Sequence, residues 1–504
     1  MTEQPPIHIV IVGGGTAGWM TAAALARFTA AKVTLVESDA IGTVGVGEAT
    51  IPQIRLFNAG LGIDEAEFLR ETRGSFKLGI EFDGWAGEGR SYMHAFGTIG
   101  QAHGLLPFHQ YWLRARAMGK AQDLAAYSLN EVAARRNAMQ MWRAEPGKPV
   151  PDMPWAYHFD AGLYAGLLRR YCEARGVTRV EGLVSDVELD GENGAIAAIR
   201  LDNGQRIAGD FFIDCSGFRS LLLGGALGSE FVDWTHWLPC DRAIAVPCAT
   251  RGDFTPYTKS IARKAGWQWR IPLQHRIGNG HVYSSAFMEE QEALDTLLAN
   301  LDGEPQAEPN MLRFTTGTRA QHWRGNCLAI GLAAGFMEPL ESTSIHLIQS
   351  SIARFLQMMP GKQMEPALAD EFNRQARFEW ERIRDFLILH YWANGREGEP
   401  FWDACRAMEL PDTLTAKIDQ FRSTGFIHRE HEELFTQDGW LQVFVGQDVM
   451  PRGWNPIADT MPVEQLEAMM TQIEAGVGRI AADLPGHAPF LRAFCMPQDQ
   501  RKSA

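Results

Sequence analysis

The chain has 504 residues, of which 45% are hydrophobic and 21% are charged, as expected of a globular protein with a sizeable core. Its net charge of −14 argues against non-specific nucleic-acid binding and favours a soluble, self-repelling surface. The seven scattered cysteines contain no CxxC pair, which argues against a disulfide scaffold or a zinc site and is typical of a cytoplasmic protein.

The N-terminus predicts a dinucleotide-binding βαβ unit. Residues 7–12 form an apolar strand, residues 19–28 a helix and residues 32–37 a second strand. The first turn carries a G-x-G-x-x-G motif, whose glycines let a pyrophosphate approach the helix start, and an acid ends the second strand, where it binds ribose hydroxyls. The alternative is a glycine-rich turn in another α/β fold. The candidate cofactor residues are Gly13, Gly15, Thr16, Ala17, Gly18 and Glu37.

This motif lies within an uncharged stretch, residues 9–26, that has to be distinguished from a targeting or membrane segment. A signal peptide would have basic residues before the stretch, and a spanning helix would not contain three consecutive glycines. We therefore expect neither of them, and no membrane partner.

Two further segments favour FAD over NAD. Residues 45–52 (GVGEATIP) predict a glycine-rich loop at the flavin edge, and residues 211–218 (FFIDCSGF) resemble the second nucleotide-proximal strand and turn of FAD monooxygenases. The chain has no second strand–GxGxxG–helix unit for NADPH, so another protein is expected to reduce the flavin. The residues concerned are Gly47, Glu48, Ala49, Thr50, Asp214 and Gly217.

Residues 76–82 (FKLGIEF) alternate as a strand, with Lys77 on the face opposite an apolar stripe. The ordinary interpretation is a solvated lysine, since lysine is rarely buried. A lysine beside glycine on such a strand also suits a polar tunnel.

The later segments predict one large core and a helical addition. Residues 1–360 are expected to form the core, with insertions that are helical over about 85–175 and mixed over 232–320. Residues 361–504 are expected to be mostly helical and to pack on the core, and they include a long amphipathic helix over 368–392.

Three strands of the core are predicted to form a meander, at residues 184–189, 195–201 and 210–213. Such a meander is common as an insertion in flavoprotein folds.

Residues 335–346 (GFMEPLESTSIH) place Glu338 and Glu341 just ahead of a predicted helix. Free backbone N–H groups at a helix start attract anions, so the segment suits an anion site. The alternative is an ordinary acidic, hydroxyl-rich helix cap.

Two other segments have plain structural alternatives. Trp267 and Trp269 in WQWRIP lie on one face of a strand, which core packing explains. Residues 428–433 (HREHEE) have histidines at a metal-like spacing, but a solvated charged face is the expected outcome, and no metal is predicted.

Taken together, GxGxxG, GEATIP, SFKLGI, WxWxIP and EPLEST resemble the flavin-dependent halogenases of the tryptophan-halogenase family, over nearly the whole length. The resemblance implies an α/β fold with an FAD-binding, Rossmann-like core of the flavin monooxygenase type and an added, mostly helical substrate-binding region. It also implies that FADH2 and O2 oxidise chloride or bromide to hypohalous acid. This oxidant travels through a tunnel to an indole-like or other electron-rich aromatic. A separate NAD(P)H-dependent flavin reductase is the implied partner.

The same resemblance assigns roles to individual residues. Lys77 would hold the oxidised halogen, and Glu341 would orient the electrophile and accept charge or a proton. The backbone N–H groups of Thr343 and Ser344 would bind the halide. The implied substrate contacts are His94, Phe96 and Trp440, the pocket wall is Trp267, Trp269, Ile271 and Pro272, and Gly331 joins the cofactor residues.

The chain also departs from its relatives. Leu332 follows Gly331 where flavin hydroxylases carry Asp, and Ser344 stands where several relatives have Gly. No residues align with confidence to those that would hold the ammonium and carboxylate of free tryptophan, so indole is at least as plausible a substrate. The alternatives are an aromatic flavin monooxygenase (hydroxylase) and a non-catalytic FAD-binding redox sensor. The oligomeric state is left open, a homo-oligomer included.

Overall fold

In a computed structural model of the chain, the described residues are 6–41, 47–144, 150–250 and 254–496. They fall into two compact units, each assembled from three separate stretches. Unit 1 comprises Met1–Gly74, Phe159–Pro239 and Arg313–Glu381. Unit 2 comprises Ser75–His158, Cys240–Leu312 and Arg382–Ala504. The sequence-based division near residue 360 stays a prediction.

The strands, in chain order, are β1 (His8–Val12), β2 (Lys32–Glu37), β3 (Glu48–Ala49), β4 (Ser75–Lys77), β5 (Gly79–Asp83), β6 (Ser91–Ala95), β7 (Ala156–Phe159), β8 (Thr178–Glu181), β9 (Val184–Leu189), β10 (Ile196–Leu201), β11 (Arg206–Ala208), β12 (Phe211–Asp214), β13 (Phe231–Asp233), β14 (Arg242–Cys248), β15 (Thr258–Arg263), β16 (Gly266–Pro272), β17 (Ile277–Tyr283), β18 (Asn310–Arg313), β19 (Gly317–Arg319), β20 (Trp323–Arg324), β21 (Cys327–Ala329) and β22 (Gly335–Phe336).

The α-helices are α1 (Thr16–Phe28), α2 (Gln53–Leu61), α3 (Glu65–Glu71), α4 (Phe108–Ala117), α5 (Leu129–Arg135), α6 (Ala161–Glu173), α7 (Glu290–Ala299), α8 (Ser344–Gln357), α9 (Pro366–Trp392), α10 (Pro400–Arg406), α11 (Asp412–Thr424), α12 (Gln437–Gly446), α13 (Val463–Asp483) and α14 (His487–Cys495). Among the described residues, no helix combines the length and apolar character needed to cross a membrane.

Unit 1 is built on a six-stranded sheet with the order β20-β21-β12-β1-β2-β8. Strand β1 pairs in parallel with both β2 and β12, so that Ile11 lies opposite Leu35 on one side and Ile213 on the other. All three side chains are completely buried, because a central parallel strand is covered on both faces. This explains the apolar runs of the sequence and confirms the predicted Rossmann-like βαβ unit.

The predicted meander is correct in its first two strands and wrong in its third. Strand β10 pairs with β9 on one side and with β11 on the other, and β11 lies ahead of the predicted third strand in the sequence. Residues Phe211–Asp214 instead pair with β1. Every residue of this strand is buried, which suits the centre of a parallel sheet and not a half-exposed meander.

Unit 2 contains a seven-stranded sheet with the order β18-β14-β17-β16-β15-β5-β6. Strands β14 to β17 pair antiparallel along the sequence β14-β17-β16-β15, and β5 joins β15 in parallel. The expectation of helix over residues 85–175 misses two strands, β6 in this sheet and β7 beside β4. Both strands are short and hydrophobic, so helical spacing could not be told from alternation.

The single strand predicted over residues 76–82 is two strands. Strand β4 ends at Lys77 and β5 begins at Gly79, because Leu78 makes its backbone hydrogen bonds outside the ladder of either strand. The Leu78 N–H donates to the Pro256 carbonyl at 2.7 Å, and the Phe96 N–H donates to the Leu78 carbonyl at 2.8 Å.

In unit 1, a single asparagine side chain connects β10 to the parallel sheet. The Asn326 Nδ2 donates to the carbonyls of Ile196 (2.9 Å) and Asp210 (3.3 Å), and its Oδ1 accepts the Ile196 N–H at 2.9 Å. The residue is buried, so these bonds cannot be replaced by bulk water.

Replacing Asn326 with Ala is expected to lower the free energy of unfolding by about 2–3 kcal/mol, because it leaves buried backbone groups unsatisfied. The measurement is urea or thermal unfolding. The matched control is Asn203→Ala on an exposed turn, where the side chain accepts one N–H from Gln205. The control is expected to stay within about 1 kcal/mol of the wild type, because exposed groups find water. Equal losses in both variants would contradict the prediction.

Candidate active site

The turn after β1 leaves no room for side chains at three of its glycines, Gly13, Gly14 and Gly18. Gly13 has φ +114°, and a Cβ there would lie 2.1 Å from the Cys215 carbonyl oxygen. A Cβ on Gly18 would lie 1.9 Å from the Gly13 carbonyl oxygen. The turn therefore packs tightly against the end of β12 and the first turn of α1, as the motif predicts.

Gly15 differs from these glycines because its Cβ position is open, with no atom of the described residues within 4 Å. It is also the N-cap of α1, which has no side-chain cap and no acid in its first turn. The first N–H groups of the helix, from Thr16 and Ala17 onward, belong to a turn that contains no acidic residue. Open space at an uncapped helix start fits a pyrophosphate, so the residues present fit a dinucleotide.

Glu37 is the last residue of β2, where the motif predicts an acid. Its carboxylate accepts a hydrogen bond from the Arg179 Nε at 2.6 Å, and the Arg169 guanidinium lies 3.8 Å away. The side chain is only 14% exposed. Glu37 is thus held in a fixed direction at the carboxyl end of the strand.

Asp214 organises the turn that follows β12. It is completely buried, and its carboxylate accepts the backbone N–H groups of Ser216 (3.0 Å), Leu222 (2.8 Å) and Leu223 (2.9 Å). These bonds fix the turn that contains Gly217. The role that the structure gives Asp214 is therefore to hold this loop, and a direct cofactor contact stays a prediction.

The Gly331 turn comes close to the glycine motif within unit 1. The Ile330 N–H donates to the Asp214 carbonyl at 3.0 Å, and a Cβ on Gly331 would lie 2.9 Å from the Ala17 Cβ. The sequence-predicted cofactor residues of β1, β12 and β21 thus meet at the carboxyl ends of neighbouring parallel strands, where ligands bind in open α/β sheets.

The GEATIP loop is described from Gly47 onward, and residues 45 and 46 of the predicted loop lie outside the described residues. Glu48 and Ala49 form β3, and Thr50 is buried. Burial, together with the nearby Asp160 carboxylate, raises the pKa of Glu48 from 4.5 to about 7. Glu48 therefore carries a proton over much of the neutral range.

The EPLEST segment folds into a turn and a helix start. Pro339–Glu341 form a 3₁₀ turn, Ser342 takes a left-handed conformation (φ +58°), and α8 begins at Ser344. Thr343, the N-cap, makes no side-chain cap, and the first turn of α8 has no acid. A left-handed serine costs of order 1 kcal/mol, and such strain clusters at functional turns.

The two carboxyl groups of this segment are removed from water. Glu338 is 0% exposed and Glu341 is 1% exposed. Burial of two acids at a helix start exceeds what an ordinary surface cap needs, since cap residues are commonly solvated.

In unit 2, Lys77 is the last residue of β4 and is 0% exposed, so the interpretation of a solvated strand lysine is wrong. Its Nζ lies 5.4 Å from the ring centroid of Phe96, within cation–π range. The ammonium group is therefore held inside the unit against an aromatic face.

The WQWRIP residues form β16, whose tryptophans are buried. Trp267 is 1% and Trp269 is 5% exposed, and their ring centroids are 6.2 Å apart. Ile271 and Pro272 end the strand opposite Gly278 and Ile277 of β17. This part of the predicted wall is packed as sheet core.

His94 and Trp440 are brought together by two phenylalanines that the sequence did not single out. The Phe386 ring stacks on Phe435 at 3.7 Å and meets Trp440 edge-on at 4.7 Å. His94 lies 5.4 Å from Phe386 and 5.9 Å from Phe435. We call these four residues the aromatic cluster. Phe386 lies on the long amphipathic helix, so its helical spacing indicated only a core position.

The side chain of Gln442 holds α12, which carries Trp440, against β6, which carries His94. Its Oε1 accepts the Ala95 N–H at 2.9 Å, and its Nε2 donates to the Ala95 carbonyl at 3.1 Å. A side-chain amide thus completes the edge of β6 and fixes the spacing of the aromatic cluster.

The HREHEE segment is not a uniformly solvated face. Glu433 is 3% exposed and forms an ion pair with the buried Lys417, whose Nζ is 2.9 Å from Oε1. The same Nζ lies 4.6 Å from the ring centroid of Trp440. A buried ion pair thus supports one wall of the aromatic cluster. In the part of the chain that the structure describes, no group of three or more His, Cys, Asp or Glu residues is arranged to hold a metal.

The amino-acid sequence is similar to those of known proteins over most of its length. A family model described as tryptophan halogenase matches residues 8–463. Tryptophan 7-halogenase RebH of Lentzea aerocolonigenes is 34% identical, over 96% of this chain and 98% of RebH. Tryptophan 6-halogenase ThaL of Streptomyces albogriseolus is 33% identical, over 96% of this chain and 98% of ThaL.

Solved structures are similar over the same length. A flavin-dependent halogenase from Xanthomonas campestris has a TM-score of 0.94 at 46% identity, covering 98% of this chain and 99% of its own. The flavin-dependent halogenase BrvH from Brevundimonas sp. BAL3 has a TM-score of 0.93 at 44% identity, covering 97% of this chain and 100% of its own. The fold class predicted from the sequence is thereby confirmed.

These matches confirm the family resemblance and do not favour the aromatic hydroxylase or the redox sensor. Flavin-dependent halogenases use FADH2, O2 and a halide, act on an aromatic substrate and receive reduced flavin from a separate reductase. A family match across most of the chain, together with the site residues of both units, leads to one conclusion: the chain belongs to the tryptophan halogenase family and is a flavin-dependent halogenating enzyme.

Proposed function

We propose that this enzyme chlorinates or brominates an indole-like aromatic, with Lys77 and Glu341 as the residues that act on hypohalous acid. The observation that carries the proposal is the complete burial of Lys77. A lysine on a strand is normally solvated, and removing its charge from water is costly unless the position serves a purpose. A buried ammonium group can hold and polarise the electronegative oxidant by hydrogen bonding.

The cofactor residues support FAD at the turn after β1. The open side of Gly15 and the uncapped start of α1 would receive the pyrophosphate, and Glu37 would bind ribose hydroxyls. When bound, reduced FAD supplies, with O2, the two-electron oxidation of the halide. Glu48 in its neutral form adds no negative charge beside an anionic dinucleotide.

The EPLEST turn supports a halide site. The backbone N–H groups of Thr343 and Ser344 stand at the uncapped start of α8, where the helix dipole favours an anion. Glu341, one residue before the left-handed Ser342, is buried, so its carboxylate can take up a proton or stabilise positive charge that develops on an attacked ring.

The aromatic cluster supports a flat, electron-rich substrate. His94, Phe386, Phe435 and Trp440 form a buried aromatic environment, which favours aromatic ligands through stacking and burial. The buried cation of this region, Lys417, is already neutralised by Glu433. We therefore favour indole or a related heteroaromatic over a free amino acid. The tryptophan halogenases RebH and ThaL make tryptophan the second candidate.

We also propose a cytoplasmic location beside an NAD(P)H-dependent flavin reductase. The support is that all seven cysteines are free thiols, six of them buried, as expected in a reducing compartment. A homo-oligomer stays an open prediction.

The function is tested by supplying FADH2 through a flavin reductase, with O2, chloride or bromide, and a panel of indole, tryptophan and other aromatics. Mass spectrometry is expected to show a halogen isotope pattern with indole. Lys77→Met and Glu341→Gln are each expected to lower product formation by about 100-fold or more, because each removes a group that acts on the oxidant.

The matched control is Lys120→Met, an exposed lysine paired with Glu467, which is expected to retain full activity. FAD binding by every variant is measured alongside. An oxygenated product in place of a halogenated one, or full activity of Lys77→Met, would refute the proposed function.

Substitutions at two glycines of the motif are expected to distinguish an effect on FAD binding from an effect on folding. Gly15→Ala is expected to fold normally, since its backbone is extended (ψ −174°) and its Cβ meets no atom of the described residues, but to weaken FAD binding about 10-fold or more by filling the pyrophosphate space. Gly18→Ala is expected to lower the free energy of unfolding by about 2–3 kcal/mol because of its clash with Gly13. Flavin fluorescence and thermal unfolding without FAD measure the two effects.

Gly166→Ala, on the helix α6, serves as the control because its Cβ would meet nothing closer than the flexible Arg170 side chain at 3.9 Å. It is expected to change neither quantity adversely, since alanine favours helix. If Gly15→Ala binds FAD as tightly as the wild type, the cofactor does not occupy this turn.

The raised pKa of Glu48 predicts a pH dependence of stability without FAD. The folded state binds the proton more tightly than the unfolded state, so stability is fully present below about pH 4.5 and is lost as pH rises towards about 7. Between pH 5 and pH 8 the wild type is expected to lose about 2 kcal/mol more than Glu48→Gln, which cannot ionise. The exposed Glu67→Gln serves as control and is expected to follow the wild type; a parallel decline of Glu48→Gln would contradict the assignment.

A further inference from the structure

The strand that carries Lys77 has only three residues, all of them completely buried. Strand β4 pairs antiparallel with β7, so that Ser75 lies opposite His158 and Lys77 lies opposite Ala156. So short a ladder provides few backbone hydrogen bonds, and the position of Lys77 must depend on side-chain contacts as well.

A chain of buried hydrogen bonds begins at Ser75. Its hydroxyl donates to the Pro272 carbonyl at 2.6 Å and lies 3.0 Å from the Nδ1 of His158. The Nε2 of the same ring lies 2.9 Å from the Thr258 Oγ1. The four residues come from four strands, Ser75 from β4, His158 from β7, Thr258 from the start of β15 and Pro272 from the end of β16.

The direction of each bond in this chain follows from proton accounting. The Ser75 hydroxyl has one proton and donates it to the Pro272 carbonyl, so its oxygen must accept a hydrogen bond from the Nδ1–H of His158. A neutral imidazole protonated at Nδ1 has a lone pair at Nε2, which accepts the Thr258 hydroxyl proton. The order is therefore Thr258 to His158 to Ser75 to Pro272, with every donor and acceptor of His158 used.

The surroundings keep His158 neutral. Burial lowers its pKa well below the usual value, and the positive charges of Lys77 and Arg270 lower it further. A neutral ring has one donor and one acceptor, as this chain requires.

The next residue of β4 is fixed from a different element. The Phe76 N–H donates to the Nε2 of His487 at 3.2 Å, and the Nδ1–H of that ring donates to the Phe254 carbonyl at 3.0 Å. Phe490 and Phe494 of the same helix contact the Phe76 ring, with centroid distances of 5.5 and 5.6 Å. Both residues that precede Lys77 thus depend on a buried histidine.

We propose that Ser75, His158 and Thr258 are positioning residues for Lys77. The last residue of WxWxIP, Pro272, contributes by accepting the hydrogen bond at the end of this series of hydrogen bonds. The motif would then act on halogenation through the lysine strand, in addition to its packing role. This inference rests on the proposed role of Lys77. Loss of these hydrogen bonds would let the Lys77 side chain shift. A small displacement of a reacting group is enough to lower the yield of a reaction that depends on its position.

The test compares two buried serines of unit 2. Ser75→Ala removes the central hydroxyl of the chain. Ser260→Ala, on β15, is the matched control because the Ser260 hydroxyl is buried and has no hydrogen-bond partner among the residues that the structure describes. For each variant, halogenated indole and free hypohalous acid, captured by a 1,3-diketone trap, are measured in the same reaction.

The expected result is a fall of about 10-fold in the ratio of halogenated product to trapped oxidant for Ser75→Ala, with the ratio unchanged for Ser260→Ala. This ratio does not depend on how much enzyme is folded, so a purely structural role would leave it unchanged. The KM for indole and the affinity for FAD are expected to stay within about two-fold, since neither ligand is placed at Ser75.

A second pair keeps the proposal testable if Ser75→Ala fails to fold. Thr258→Val has the same shape but lacks the donor to His158, whereas Thr258→Ser keeps it. Thr258→Val is expected to reproduce the low ratio and Thr258→Ser to restore it. An unchanged ratio in the folded variants, or equal ratios for Val and Ser, would overturn the inference. A wild type that halogenates no aromatic would instead refute the proposed function.

Discussion

The constraint on which unit 2 depends is that an ammonium group is kept entirely out of water. Lys77 shows no exposed surface, although moving a charged amine into a protein costs several kcal/mol unless its surroundings compensate for the loss of hydration. The contact with the Phe96 ring is one such compensation. The strand itself is held by buried hydrogen bonds to His158 and His487.

Unit 1 has the opposite requirement, because the phosphates of FAD are negatively charged. Backbone groups are available for this: the starts of α1 and α8, like that of α2, have no side-chain cap and no acid in the first turn. Gly15 has no side chain at the place where a phosphate would approach. The Asp214 carboxylate accepts backbone hydrogen bonds within its own loop. The unit thus presents fixed partial positive charge without any exposed lysine or arginine having to be ordered.

The sequence predicted best those features that depend on neighbouring residues. The second strand, Lys32–Glu37, and the glycine turn before it follow from local patterning, because a buried parallel strand reads as an apolar run. The errors arose where distant segments decide the outcome. Phe211–Asp214 has the composition of a meander strand but pairs with β1. Lys77 belongs to a segment that alternates in the sequence but forms two short strands, the first of which is completely buried. Similarly, His158 and Phe386 gain their partners only through the fold, so no spacing in the sequence could reveal them.

The division of the chain among its two units has a consequence for how the protein acquires its structure. Unit 1 is incomplete until Glu381 has been synthesised. Unit 2 is incomplete until α14 has been synthesised, and His487 of that helix accepts a hydrogen bond from the strand that carries Lys77. Neither unit can therefore complete its folding early during translation, and each must join segments that are far apart in the chain. Such topology favours slow folding with partly structured intermediates. Lys77 would then be fixed in place among the last events, so that its strand is complete only in a chain that has finished folding.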